Sequence, residues 1–132
     1  TGLEPQRVNA FINQEGTLVD VVTSVSVEFT NGAVGSLSYT SLSPEWREEF
    51  TYYGTEGVIR FGAAEPLMLH RSGEDIVLPR TPASGKAPAQ NFIDAIKGEA
   101  KVQAPPICGL RVAQLTEAAY ASAKSGKPET VG

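Results

Sequence analysis

Between Val19 and Thr30 the chain changes character at every second residue: Val21, Val25, Val27 and Phe29 fall on one side, and Val22, Ser24, Ser26 and Glu28 on the other. A period of two is that of a strand with two unlike faces. A strand over the whole of Val19–Thr30 would be about 36–40 Å long at roughly 3.3 Å per residue, well beyond the usual length. Asn31-Gly32 then turns the chain back. A two-residue Asn-Gly loop would set Val27 against Ser36 and Val25 against Ser38, mixing serines into the apolar side. A loop of Thr30-Asn31-Gly32, with Gly32 left-handed, instead pairs Phe29 with Ala33, Val27 with Gly35, Val25 with Leu37 and Thr23 with Tyr39. A slip of one residue exchanges the two faces, so burial selects the longer loop. The other face then carries Ser24, Ser26, Ser36 and Ser38, small and mildly polar, either wet or open to close approach by another sheet.

The same patterning predicts a first strand over Arg7–Asn13, in which Val8, Ala10 and Ile12 alternate with Asn9, Phe11 and Asn13. After a Pro44-containing loop comes a strand over Glu48–Tyr53. It turns at Gly54-Thr55-Glu56-Gly57 into Val58–Gly62, so that Tyr52 meets Ile59 and Phe50 meets Phe61. Leu67–Arg71 and Asp75–Leu78 form a weaker hairpin around Ser72-Gly73, and Pro79, Pro82, Gly85 and Pro88 mark an irregular crossing. Two helices follow. Ala89–Lys97 places Phe92, Ile93 and Ile96 on one stripe and stops at Gly98; Gly109–Ser125 turns Val112, Leu115, Ala119 and Ser122 inward and stops at Gly126 before Pro128. A short last strand at Glu129–Val131 is possible. Strands followed by helices predict an α+β fold: a large, mostly antiparallel sheet with two helices on one face and the other face open.

Composition narrows the function. A net charge of −4 with scattered Lys and Arg offers no basic stripe for nucleic acid. No apolar run reaches bilayer length, and Cys108 stands alone, so a reducing, cytoplasmic setting is the default expectation. The start at Thr1-Gly2-Leu3, close to a strand, fits a piece of a longer protein.

The familiar signatures of chemistry are missing: no G-x-G-x-x-G, no phosphate loop at Gly54–Gly57, no G-x-S-x-G. His70, the single histidine, reads as a surface residue on an edge strand, and Glu74 and Asp75 do not complete a metal site. Cys108 precedes a helix without an accompanying base and reads as a half-buried small hydrophobe. Glu48-Glu49 reads as a solvated strand start. Tyr39, Trp46 and Arg47 gather near one strand end, a combination suited to a polyol or carboxylate; a tryptophan that lids the core is the plainer alternative. Catalytic, cofactor-binding and metal residues are therefore expected to be none.

Four segments, VDVVTSVSVEFTNGAVGSL, YYGTEGVIRF, NFIDAIKGE and GLRVAQLTEAAYASAKSGKP, together resemble the C-terminal domain of the Gfo/Idh/MocA family of NAD(P)-dependent sugar and polyol oxidoreductases. The resemblance covers nearly the whole chain, in family order. It implies that residues 1–132 are one partial C-terminal domain, substrate-side and oligomerising. The Rossmann half that binds NAD or NADP and supplies the Lys of a Glu-Lys-Pro motif would lie outside this chain, and the isolated piece would be inactive. It implies a homo-oligomer through the open sheet face (Ser24, Ser26, Ser36, Ser38) and a sugar-like small molecule in the parent enzyme, with neither nucleic acid nor membrane as partner. A free-standing scaffold or small-ligand module is the alternative.

Overall fold

The computed structural model describes residues 2–63, 65–79 and 87–132, and Pro82 and Gly85 of the expected crossing lie outside them. The chain divides into two compact units, residues 1–42 with 94–132, and residues 43–93. Their described strands are all antiparallel and form two four-stranded sheets, so with two helices the expected α+β class holds.

In the first unit the sheet has the order β3-β2-β1-β8, built from β1 (Pro5–Asn13), β2 (Val22–Phe29), β3 (Val34–Thr40) and β8 (Glu129–Thr130). The hairpin register is the one that burial selects: Val27 faces Gly35, Val25 faces Leu37 and Thr23 faces Tyr39. Phe29 N–H donates to the Ala33 carbonyl at 2.9 Å, and Gly32, at φ 83°, carries the left-handed turn. β2 is shorter than the pattern suggests. Thr17 Oγ1 donates within its own loop, 2.8 Å from the Gln14 carbonyl and 2.9 Å from that of Val19. This local bonding draws Leu18 and Val19 into solvent before the ladder begins.

α2 (Pro106–Ser125) packs against β1 and β8. Its Ala118 and Ala119 join Val8, Ala10 and Val25 in the buried core, with Leu115 and Val27 beside them. Small side chains on the helix let it approach the sheet closely. Val112, expected inside, is 66% exposed, because the inward face is centred on Ala118, Ala119 and Ser122. Ser122 is fully buried: its Oγ accepts the Ala10 N–H at 3.1 Å and donates to the Lys127 carbonyl at 2.7 Å. β8 pairs only with Arg7 and Val8, so the Ala10 amide lies beyond its end and Ser122 takes the place of a strand partner. Gly126, at φ 70°, closes the helix with its N–H on the Ser122 carbonyl.

In the second unit the sheet has the order β4-β5-β6-β7, from β4 (Glu49–Gly54), β5 (Gly57–Gly62), β6 (Leu67–Arg71) and β7 (Glu74–Leu78). Tyr52 faces Ile59 and Phe50 faces Phe61, as the pattern requires, with the Phe50 and Phe61 rings stacked 5.1 Å apart. Gly62 is fixed by space: a Cβ there would stand 2.3 Å from the Glu48 carbonyl oxygen.

α1 (Pro88–Ile96) spans the division between the units. Its apolar stripe is turned outward: Phe92 is 64% and Ile96 71% exposed, whereas Asn91 and Asp94 are buried and engaged in polar interactions. Burying two polar groups requires partners for both, and satisfying them sets the rotation of so short a helix.

Two stability effects follow. Ser122→Ala leaves the buried Ala10 N–H without its acceptor and should cost about 1–3 kcal/mol, read as a lower urea midpoint at unchanged slope. Gly62→Ala should cost on the order of 1–3 kcal/mol by overpacking, seen as faster amide exchange in β4 and β5.

Candidate functional site

Tyr39 sits on β3 opposite Thr23 and is 49% exposed. Trp46 and Arg47 belong to the other unit, in the loop before β4, and both are exposed. At 84% exposure Trp46 covers no core, so the plain reading of a lid does not hold. Its ring and the neighbouring guanidinium stand free in solvent as adjacent residues.

The serine face is present as expected. Ser24 pairs with Ser38 and Ser26 with Ser36, and all four are exposed. Because β1 continues the sheet, Phe11 stands beside Ser24 and Asn9 beside Ser26. Phe11, at 71% exposed, gives this polar surface an apolar centre. At one end is a hollow of about 560 Å³ whose lining includes Arg7, Asn9, Ser26, Glu28 and Ser36. Arg7 and Glu28 form an ion pair there at 2.7 Å.

The second sheet carries a polar constellation of which the sequence pattern singled out only His70 and Asp75. Arg60, Glu65, Pro66, Met68, His70 and Asp75 line a hollow of about 290 Å³. β6 is an inner strand rather than an edge, so His70 is flanked by Val58 on β5 and Asp75 on β7. His70 Nδ1 is hydrogen-bonded to Asp75 Oδ1, while Arg60 Nε reaches Glu49 at 3.1 Å. The two-residue turn at Ser72-Gly73 was the available signal, since it sets His70 opposite Asp75. No group of three or more metal-ligating side chains occurs among the described residues.

Cys108 lies in the first turn of α2 and is exposed, contrary to the half-buried expectation. The helix begins at Pro105-Pro106, two residues without N–H groups, whereas Cys108 N–H is spent on the Pro105 carbonyl at 2.9 Å. This start does not fit a dinucleotide pyrophosphate, which needs a glycine turn and free amides at a helix N-terminus. No described helix is long and apolar enough to cross a membrane.

Further along α2, Tyr120 Oη donates to Asp20 Oδ1 at 2.8 Å, tying the helix to the β1–β2 connection. That hydrogen bond, with lesser help from desolvation and the carboxylate charge, holds the phenol above its ordinary pKa of 10.0.

Neither family models nor curated proteins match the sequence. Solved structures do. An oxidoreductase structure from Thermotoga maritima aligns with a TM-score of 0.87 at 18% identity, over 99% of this chain and 42% of its own. The WlbA dehydrogenase from Chromobacterium violaceum, solved with NADH and UDP-GlcNAcA, gives 0.79 at 25% identity, over 98% and 41%. The aldose-aldose oxidoreductase from Caulobacter crescentus, solved with glycerol, gives 0.79 at 19%, over 98% and 42%. The fold is that of the C-terminal part of Gfo/Idh/MocA-type oxidoreductases. The chain spans less than half the length of these neighbours.

The tyrosine contact is testable. Because the folded phenol is raised, its contribution to stability is full below about pH 10 and is lost as pH climbs through the folded value. Phenolate absorbance during a pH titration should show one of the four tyrosines ionising late. Tyr120→Phe should delete that phase, and Asp20→Asn should move it down.

Proposed function

We propose that this chain is the substrate-side, C-terminal part of an NAD-type oxidoreductase acting on a sugar-like molecule. The match over 97–99% of this chain and 41–44% of its neighbours carries this reading. Two of those neighbours were solved with NADH and UDP-GlcNAcA. The poor fit of the α2 start to a pyrophosphate supports placing the cofactor, NAD or NADP, and the catalytic Lys in a Rossmann half outside these residues. The role left to this piece is to wall the substrate pocket and to join subunits through the open face bearing Ser24, Ser26, Ser36 and Ser38, in a cytoplasmic enzyme.

For contact with substrate, the exposed pair Trp46-Arg47 supplies an aromatic face for a sugar ring and a fork for a carboxylate. Tyr39 is put forward separately as a hydroxyl partner.

Calorimetry on the isolated chain should give no heat with NADH. Uronic acids or sugar nucleotides should quench the single tryptophan, with the effect reduced at least tenfold in apparent affinity by Arg47→Ala. Micromolar NADH binding would overturn the assignment of the cofactor to another part, and a flat fluorescence titration would remove Trp46 and Arg47 from the site.

A further inference from the structure

Strands at the edge of a sheet present unpaired amides and carbonyls, and natural edges are blunted by charge, proline, bulges or brevity. Three of the four edge strands here are blunted in this way. β8 has two residues and follows Lys127-Pro128, β4 opens with Glu49 after Glu48, and β7 opens with Glu74-Asp75. β3 is different. Its seven residues, VGSLSYT, contain neither charge nor proline, its pairing with β2 runs without a bulge, and most of it is exposed.

We infer that the free edge of β3 pairs antiparallel with β3 of a second copy of this chain. Phe29 N–H bonds the Ala33 carbonyl and Ser41 N–H bonds the Val21 carbonyl, which fixes the odd-numbered residues of β3 as those bonded to β2. Ser36 and Ser38, with Val34 and Thr40, therefore turn their backbone groups outward. The sequence is quasi-palindromic about Leu37. With Leu37 on a two-fold axis, Ser36 meets Ser38, Gly35 meets Tyr39 and Val34 meets Thr40. The outward-facing residues then form the hydrogen-bonded pairs.

The side chains agree with this register on both faces. Leu37, 59% exposed in the single chain, meets its own copy in a close, non-hydrogen-bonded pair. Tyr39 lies over Gly35, where the Phe29 ring already stands 3.4 Å from the position a Cβ would take. The serines face one another on the polar side. A one-residue slip would bring Leu37 opposite a serine. The two-residue slips that keep the hydrogen-bond pattern leave Val34 or Thr40 without a partner in β3, so the Leu37-centred register is the one that uses every outward-facing residue. The two-fold closes this edge on both copies and leaves the serine face free. The pairing rests on this strand alone and not on the oxidoreductase assignment, so the NADH result leaves it untouched.

Sedimentation velocity from about 1 to 100 μM should show a monomer–dimer equilibrium, with half-association in the tens of micromolar as befits a small interface. Leu37→Lys and Leu37→Glu should each weaken association at least tenfold, because each sets like charges across the axis. An equimolar mixture of the two should recover it. Ser38→Pro removes an outward N–H without touching the β2 ladder, and should also give a monomer with an unchanged melting temperature. A monomer throughout the range, a dimer indifferent to Leu37→Lys, or a dimer split only by Ser24→Arg and Ser26→Arg would overturn the pairing.

Discussion

A single hydroxyl decides how the first unit closes. Where β8 stops, the Ala10 amide would face the underside of α2 with nothing to bond. Ser122 Oγ accepts it and donates its own hydrogen bond to the Lys127 carbonyl, so sheet, helix and the chain leaving the helix meet at one buried atom. An orphaned amide at this depth costs as much as a sizeable apolar contact gains. The rotation of α2 follows from that requirement. Ala118 and Ala119, one turn before Ser122, then become the core by default, and Val112 is carried outward.

The strand pairings were legible in the sequence because alternation on a hairpin leaves few degrees of freedom. Serine and valine at strict alternate positions exclude one of the two registers outright, and the same logic recovers Tyr52 against Ile59. The helices were less legible for the opposite reason. α2 is rich in alanine, so a rotation of some tens of degrees changes its apolar burial little, and hydrogen bonding to Ser122 rather than hydrophobicity sets its face. α1 reverses the usual rule altogether, burying Asn91 and Asp94 and exposing Phe92 and Ile96. Nothing in its spacing announces that two polar side chains will find partners inside.

For the site, sequence pattern located surfaces more readily than chemistry. The serine face stands where alternation puts it, but its hollow is lined by Arg7 and Glu28, which meet across β1 and β2 in a register that the pattern left unassigned. The His70–Asp75 contact follows from the Ser72-Gly73 turn, whereas the place of His70 beside Val58 required knowing that β6 is an inner strand. Tyr39, Trp46 and Arg47 lie near one another in sequence, yet they divide between two units, which composition and periodicity do not register.

The first unit is discontinuous: residues 1–42 supply three strands, and residues 94–132 supply the long helix and the closing strand. The second unit is one uninterrupted stretch between them. During synthesis its hairpins can therefore form with neighbours already made, each strand pairing with the one just before it. The first sheet must wait with its apolar side uncovered until α2 and the residues after it have emerged, because the carbonyl that accepts the Ser122 hydrogen bond belongs to Lys127. The order of translation thus separates the two units in time, and the uncharged β3 is the strand that stays open longest to the wrong partner.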